Sequence, residues 1–275
     1  MDNNKNDAVQ KWTEIGANIV ASSLTSVAGI LNPTIEGAIL STVGGTLFNT
    51  GLQLLGRELQ TRYMSKKEEQ RIGTAFYYLQ QKFNENADAG KAIRDDDFFN
   101  TVDGEYSTNL EILEGILIAA QKSYQEKKVR HISNFYANLL FDNTIDGHKA
   151  NHFLKLAESM SYRQFCLLAV YYYGIDFGLD KRSFAPTKRE IRLDTISDLK
   201  FLNEHAFIIL EIPLENQGKF FMFPPENAAL SNYGQTFCEL FALDKLLEDD
   251  LLDVAGQIVT AEKIEEVRTM YKQMG

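Results

Sequence analysis

Residues 15–56 form a long segment that is almost free of charge. The segment spans 42 residues and holds one ionisable side chain, Glu36, although a chain with 24% charged residues would place about ten there. Glu36 divides it into stretches of 21 and 20 uncharged residues, each as long as a membrane-spanning helix. Asn32-Pro33 lies just before the division and is typical of a turn. The segment therefore predicts a helical hairpin.

The composition of this hairpin argues against a permanent membrane span. Twenty of its 42 residues are Gly, Ala, Ser or Thr, and small residues recur four apart, which lets helices approach closely. Three interpretations stay open: a hairpin buried in the core of the protein, a helix pair that forms an oligomer or binds a partner, and a segment that enters a membrane on activation. The candidate interface residues are Val20, Leu24, Val27, Leu31, Gly37, Ser41 and Gly45.

The remaining composition is that of an ordinary folded protein. With 44% hydrophobic residues, the chain is not disordered throughout. Cys166 and Cys238 are too few for a disulfide scaffold or a four-cysteine zinc site, and their apolar neighbours predict buried structural thiols. The net charge of −10 disfavours general binding of nucleic acid, because phosphates are neutralised by clustered Lys and Arg.

Helical spacing of apolar residues continues through residues 65–159. The run from Leu110 to Leu140 predicts either one very long helix or two helices with a bend near Gln125–Lys128. Other signals in this region predict a capping box at Ser65 and Glu68, a helix end near 86–90, a loop at 94–99, a second capping box at Thr108 and Glu111, and a helix near Thr144–Met160.

Two groups of residues in this region invite a metal or catalytic interpretation, and the sequence supports neither. Asp95–Asp97 are consecutive, so their carboxylates do not converge on a cation, and a solvated turn is the favoured prediction. An ion site and pairing of the carboxylates with Arg within the loop are the lesser alternatives. The histidines lack a third ligand at suitable spacing and are expected on a solvated helix face: His131, His148 and His152. If the chain is an enzyme, the places to look are His131, Asp95–Asp97, Glu111 and Glu114. We predict no catalytic residue, cofactor or metal.

The C-terminal half predicts the element order of a winged-helix unit. A third capping box at Ser161 and Gln164 opens a helix that ends at Gly174, and a second helix is expected near Thr195–His205. Strands at Phe207–Ile212 and Lys219–Phe223 would form a hairpin. Ser231 is expected to cap a helix that reaches Leu243, and a final helix is expected at Thr260–Met274.

Charge makes DNA an unsuitable partner for this unit. The candidate recognition helix carries Asp194, Asp198 and Glu204, which phosphates would repel, and residues 226–275 hold ten acidic and four basic residues. One basic patch is either a solvated loop or a contact surface for a partner, and the first is favoured: Lys181, Arg182, Lys188, Arg189 and Arg192.

Four segments resemble the bacterial abortive-infection alpha proteins: Asn134-Phe-Tyr-Ala-Asn-Leu-Leu140, Leu154–Ala157, Met160-Ser-Tyr-Arg-Gln-Phe-Cys-Leu-Leu168 and Leu230-Ser-Asn-Tyr-Gly-Gln-Thr-Phe237. The resemblance covers about residues 129–243 and consists of packing motifs. It implies an association with phage defence and supplies no catalytic residues.

We therefore predict a mainly α protein: a helical bundle with an N-terminal helical hairpin and a C-terminal winged-helix-like unit that contains a small β-hairpin. The predicted divisions are residues 1–64, 65–159, 160–248 and 249–275. The predicted function is non-enzymatic phage defence, in the cytoplasm with conditional contact at the inner membrane, through self-association or a protein partner. The alternative is a cytosolic adaptor or regulator that binds a protein partner through the winged-helix-like unit. The sequence does not indicate whether the protein binds a small-molecule ligand.

Overall fold

The computed structural model describes residues 65–100, 107–179, 192–210 and 225–274. These residues are mainly helical, with nine α-helices and one two-stranded antiparallel sheet, which confirms the predicted fold class at that level. The chain divides into two compact units between Ser159 and Met160. The predicted hairpin at 15–56 with its interface residues, and Lys181, Arg182, Lys188 and Arg189 of the basic patch, lie outside the described residues.

Four helices form the described part of unit 1. They are α1 (Lys66–Asp88), α2 (Thr108–Lys122), α3 (Glu126–Leu139) and α4 (Gly147–Ser159). The long apolar run is thus two helices, separated at Ser123–Gln125, and the helix expected from Thr144 begins three residues later. Asp97–Phe99 form one turn of 3₁₀ helix within the predicted loop and bury Phe98 and Phe99.

The predicted capping box at Ser65 is confirmed, and the one at Thr108 is wrong. The Ser65 hydroxyl accepts from the Glu68 amide, and the Glu68 carboxylate accepts from the Ser65 amide. At the second helix the N-cap is Ser107, whose hydroxyl accepts from the Leu110 amide. Ser107 and Thr108 are adjacent and both carry a hydroxyl, so the sequence alone did not decide which of them is the N-cap. With Ser107 as the N-cap, the third helical residue is Leu110, whose apolar side chain cannot complete a capping box.

Contacts at both ends of the helices fix their directions in unit 1. Arg71 lies near Glu126 and Asn86 bonds to Asn138, so α1 and α3 run parallel. Tyr136 bonds to Asn109, which makes α2 antiparallel to α3. Gly147 packs against Thr108 and Gly115 against Leu154, so α4 runs parallel to α2.

Five helices and the sheet form the described part of unit 2. They are α5 (Tyr162–Tyr172), α6 (Leu193–Glu204), β1 (Ile208–Leu210), β2 (Ala228–Leu230), α7 (Asn232–Leu240), α8 (Glu248–Ala255) and α9 (Ala261–Met274). The Ser161–Gln164 capping box and the Ser231 N-cap are confirmed. Leu243, expected in α7, lies in a separate 3₁₀ turn at Leu243–Lys245.

The observed partner of β1 is a strand that sequence patterning missed. In the antiparallel pair, Ile208 lies opposite Leu230 and Leu210 lies opposite Ala228. The Ala-Ala-Leu strand follows two prolines and lacks β-branched residues, so it carries no strand signal. The expected second strand at 219–223 lies outside the described residues.

Stacked phenylalanines form the core of unit 2. The Phe237 ring stacks on Phe241 with centroids 4.0 Å apart and meets Phe165 and Phe207 edge-on at 5.8 and 4.8 Å. Residue 234 must be glycine for α7 to reach this position, because a Cβ there would lie 2.2 Å from the Phe207 carbonyl oxygen. The Gly-x-x-Phe spacing is thus explained by packing: Gly234 lets α7 approach Phe207 closely, and Phe237 enters the aromatic core.

Candidate functional site

A polar cluster in unit 2 centres on Arg163, at the start of α5. Its Nη1 lies 2.9 Å from Asp194 Oδ2 and 3.3 Å from Asp198 Oδ2, both on α6. Its Nη2 donates to Thr195 Oγ1 and to Gln257 Oε1, each at 2.7 Å. One guanidinium thus joins α5, α6 and the residues that follow α8.

The next residue, Gln164, connects the helix cap to this cluster. Its side-chain oxygen completes the capping box on the Ser161 amide at 2.9 Å, and its Nε2 donates to Asp198 Oδ1 at 3.0 Å. On the other side of Arg163, the Tyr162 hydroxyl donates to Asp250 Oδ2 of α8 at 3.0 Å. The Ser-Tyr-Arg-Gln segment therefore positions both α6 and α8 on α5.

The two carboxylates of the cluster have different environments. Burial raises the pKa of Asp198, and Arg163 only partly opposes this rise. Asp194 is exposed; slight desolvation raises its pKa, but hydrogen bonds from Arg192 and from the Thr195 amide outweigh this and hold the pKa below its usual range. The formal charges of Arg163, Arg192, Asp194 and Asp198 sum to zero, so these two acids of α6 are balanced within the unit.

Arg192 is the described member of the predicted basic patch. It is exposed, and its guanidinium makes two hydrogen bonds to Asp194, at 2.8 and 3.2 Å. Leu193, directly after it, has 74% of its surface exposed at the first position of α6. At the other end of the helix, the Phe201 and His205 rings stack with centroids 4.1 Å apart. The outer face of α6 therefore combines one paired arginine with apolar and aromatic groups.

In unit 1, polar groups are buried around α3. Asn86 Nδ2 donates to Asn138 Oδ1 at 2.8 Å, and the Tyr136 hydroxyl donates to Asn109 Oδ1. Burial raises the pKa of Tyr136 strongly, so this hydroxyl keeps its proton. The Asn-Phe-Tyr-Ala-Asn segment of α3 thus uses its polar residues to join three helices.

Arg94 holds the loop that follows α1. It is 6% exposed, and its Nη1 donates to the carbonyls of Leu139 and Ile145 at 3.3 and 3.1 Å. Its guanidinium also pairs with Asp96 and lies 4.0 Å over the Phe98 ring. Asp95–Asp97 are exposed, as expected for a solvated turn, and the Arg94–Asp96 pair corresponds to the lesser alternative that the sequence left open.

The residues considered for an enzyme differ in burial. Glu111 is exposed and Glu114 is half-buried on α2, whereas His131 is 2% exposed within α3. The expectation of a solvated His131 is wrong, because nearly every residue of α3 is buried among its neighbours; His148 and His152 are exposed as expected. Across the described ranges, no three His, Cys, Asp or Glu side chains come together to hold a metal ion.

Lys128 is a buried cation that sequence patterning missed. It is 5% exposed, and its Nζ donates to the Glu158 carbonyl in the last turn of α4 at 3.1 Å. Burial lowers its pKa to about 8, and the Glu158 carboxylate partly opposes this change. In sequence it stands in a Glu-Lys-Lys run that is typical of a solvated face.

Among the described helices, none combines the length and the apolar character that crossing a membrane requires. Both cysteines are buried, as predicted, and their thiols are outside any disulfide. Comparisons with protein-family models, with curated proteins and with solved structures give no match.

Proposed function

We propose that this chain is a non-enzymatic bacterial phage-defence protein of the abortive-infection type. Its N-terminal hairpin, residues 15–56, would be a conditional membrane-active or oligomerising element. The observation that carries the proposal is one charge in 42 residues within a chain of 24% charged residues. Such a segment loses little electrostatic free energy on entering lipid and is polar enough to be packed in protein.

The C-terminal unit would hold the partner or trigger. Support comes from the order α5, α6, β1, β2, α7 with an antiparallel sheet, which is compatible with a winged-helix-like unit. The segments that carry the resemblance to abortive-infection proteins support the assignment as well, since three of the four have an architectural role: Asn134–Leu140 joins helices of unit 1, and Met160–Leu168 and Leu230–Phe237 organise unit 2.

Charged substitutions within the hairpin test the membrane role in the full-length protein. Because an acidic side chain at the bilayer centre is unfavourable by about 3 kcal/mol, Val27→Asp with Val43→Asp should abolish dye leakage from vesicles. The matched control, Ile175→Asp with Leu193→Asp, introduces the same charges at positions that are 77% and 74% exposed and should leak like the wild type. Equal leakage by both double variants would reject the membrane role.

The second candidate is an adaptor that binds a protein through unit 2. It is favoured by exposed apolar side chains on the described surface of that unit: Ile175, Leu193, Ile209 and Leu247. An adaptor predicts no affinity for vesicles and no toxicity on expression. Light scattering of the full-length protein with and without a membrane mimetic distinguishes the two, because only the first proposal expects the assembly to change.

A further inference from the structure

The first turn of α1 lies against the break between α2 and α3. Gln121 Nε2 donates to Glu68 Oε1, and Arg71 Nη1 donates to the Gln121 carbonyl, both at 3.3 Å. Arg71 Nε is 3.9 Å from Glu126 Oε1. These contacts bring the start of α1, the end of α2 and the start of α3 to one end of unit 1.

Four of the exposed side chains at this end are lysines. Lys66 and Lys67 lie in the first turn of α1, and Lys122 and Lys127 flank the break between α2 and α3. Tyr124, within the break, is 84% exposed, the highest value among the large apolar side chains of the described residues. We name these five residues the elbow surface: Lys66, Lys67, Lys122, Tyr124 and Lys127.

The acidic residues nearby do not cancel this charge. Glu126 lies beside Arg71, and Glu68 accepts from the Ser65 amide at 2.8 Å to complete the capping box. In sequence, residues 65–71 and 121–127 hold five basic and three acidic residues, a local charge of +2 in a chain of −10. The end of unit 1 at which the chain arrives from the charge-poor segment therefore has the opposite sign to the protein as a whole.

We propose that the elbow surface binds anionic lipid headgroups. Lysines reach phosphates with their ammonium groups while their stems lie along apolar surface, and tyrosine is enriched where protein meets the headgroup layer. Lys66 is ten residues beyond Gly56, the end of the charge-poor segment that is predicted to form the hairpin, so both elements would meet the same membrane. The inference rests on the proposed membrane role of the hairpin and names the lipid class that this role requires.

Vesicle flotation of the full-length protein tests the inference. The probes are vesicles of phosphatidylcholine alone and of phosphatidylcholine with phosphatidylglycerol, at low and high salt. Lys66→Gln, Lys67→Gln, Lys122→Gln and Lys127→Gln are combined in one variant. A lysine near an anionic surface contributes about fivefold in affinity, so this variant, which lacks four, should bind anionic vesicles several hundredfold (about 600-fold) more weakly. Wild-type binding should also fall at high salt.

The matched control removes four lysines from other surfaces: Lys155→Gln, Lys245→Gln, Lys263→Gln and Lys272→Gln. It should retain wild-type binding to anionic vesicles. Circular dichroism during heating checks that both variants fold, and Lys122→Gln with Lys127→Gln, which leaves α1 untouched, provides a milder variant that should lose binding in part.

The outcomes separate this inference from the proposed function. Loss of anionic-vesicle binding in the elbow variant alone supports the inference. Equal flotation of elbow variant, control and wild type overturns it and leaves the hairpin role intact. If the wild type neither floats nor causes leakage with any vesicle, both are overturned. Salt-sensitive binding of wild type to a DNA duplex without vesicle binding also overturns the inference.

Discussion

Units 1 and 2 join their helices through different kinds of polar contact. Around α3 in unit 1 the contacts are mostly between neutral groups, such as the Asn86–Asn138 and Tyr136–Asn109 hydrogen bonds. In unit 2 they converge on one cation, Arg163, shared by Asp194 and Asp198. Neutral buried bonds are insensitive to salt, whereas partly exposed ion pairs are screened. We therefore expect polar bonds to determine helix pairing in unit 1 and aromatic packing to dominate the stability of unit 2.

The largest effect should come from Gly234→Ala in unit 2. The new methyl group would meet the Phe207 carbonyl oxygen at 2.2 Å, so backbone must move and the phenylalanine stack must separate. We expect a loss of about 3 kcal/mol in the free energy of unfolding, measured by hydrogen exchange of α7 amides. Gln235→Ala, at the exposed neighbouring position, should change exchange little. Near-wild-type protection in Gly234→Ala would show that the aromatic core is not the main source of stability in this unit.

In unit 1, the comparable test is to remove one amide of the Asn86–Asn138 pair. Asn138→Ala leaves a buried amide without its partner and should lower the free energy of unfolding by about 2 kcal/mol. Combining it with Asn86→Ala should produce less than the sum of the single losses, with a coupling of about 1 kcal/mol in urea titrations. Asn151→Ala on the exposed face of α4 is the control. Additive losses would mean that the pair does not act as a unit.

The pH dependence of unit 1 should reveal Lys128. Its pKa is lowered from 10.5 to about 8 in the folded protein, so above pH 8 the unfolded state binds the additional proton. Stability contributed by this residue therefore rises with pH, by about 1 kcal/mol between pH 8 and about pH 9, where unfolded tyrosines still keep most of their protons. Lys128→Met should remove this rise in hydrogen exchange of α3 and α4. An unchanged slope in the variant would exclude the buried amine as its source.

A smaller effect of defined direction is expected at Asp198 in unit 2. Because its pKa is raised in the folded protein, the folded state binds a proton more readily than the unfolded state, and the ionised carboxylate weakens folding above that pKa. Asp198→Asn should therefore stabilise α6 slightly at pH 7, an advantage that disappears in acid where wild-type Asp198 is protonated. Asp253→Asn, on the exposed face of α8, should have no effect on α6 exchange. Destabilisation by Asp198→Asn would mean that the Arg163 ion pair outweighs desolvation.

Local signals in the sequence predicted the parts of the fold that depend on local contacts. The capping boxes at Ser65 and Ser161 and the N-cap at Ser231 form their bonds within three residues, so their patterns were sufficient. A break near Gln125–Lys128 was one of two alternatives expected, and the structure places it slightly earlier, at Ser123–Gln125. The helical spacing of apolar residues predicted the mainly α class.

Sequence patterns could not predict contacts between residues that are far apart in the chain. Burial of Lys128 and His131 depends on helices packed around α3, and strand β2 forms because the Ala228–Leu230 backbone meets β1. The Arg163 cluster joins residues up to 94 positions apart, and nothing in the spacing of Arg163, Asp198 and Gln257 connects them. The elbow surface depends equally on Gln121 meeting Glu68 across 53 positions.

The boundary at Ser159 and Met160 has a consequence for synthesis of the protein. Before the boundary, Lys128 Nζ donates to the Glu158 carbonyl in the last turn of α4. After it, Ser161 and Gln164 form the capping box that begins α5. A ribosome that has released residue 159 has therefore supplied what α4 needs to finish, and a gene split at this codon would leave each half with its own helix terminus intact.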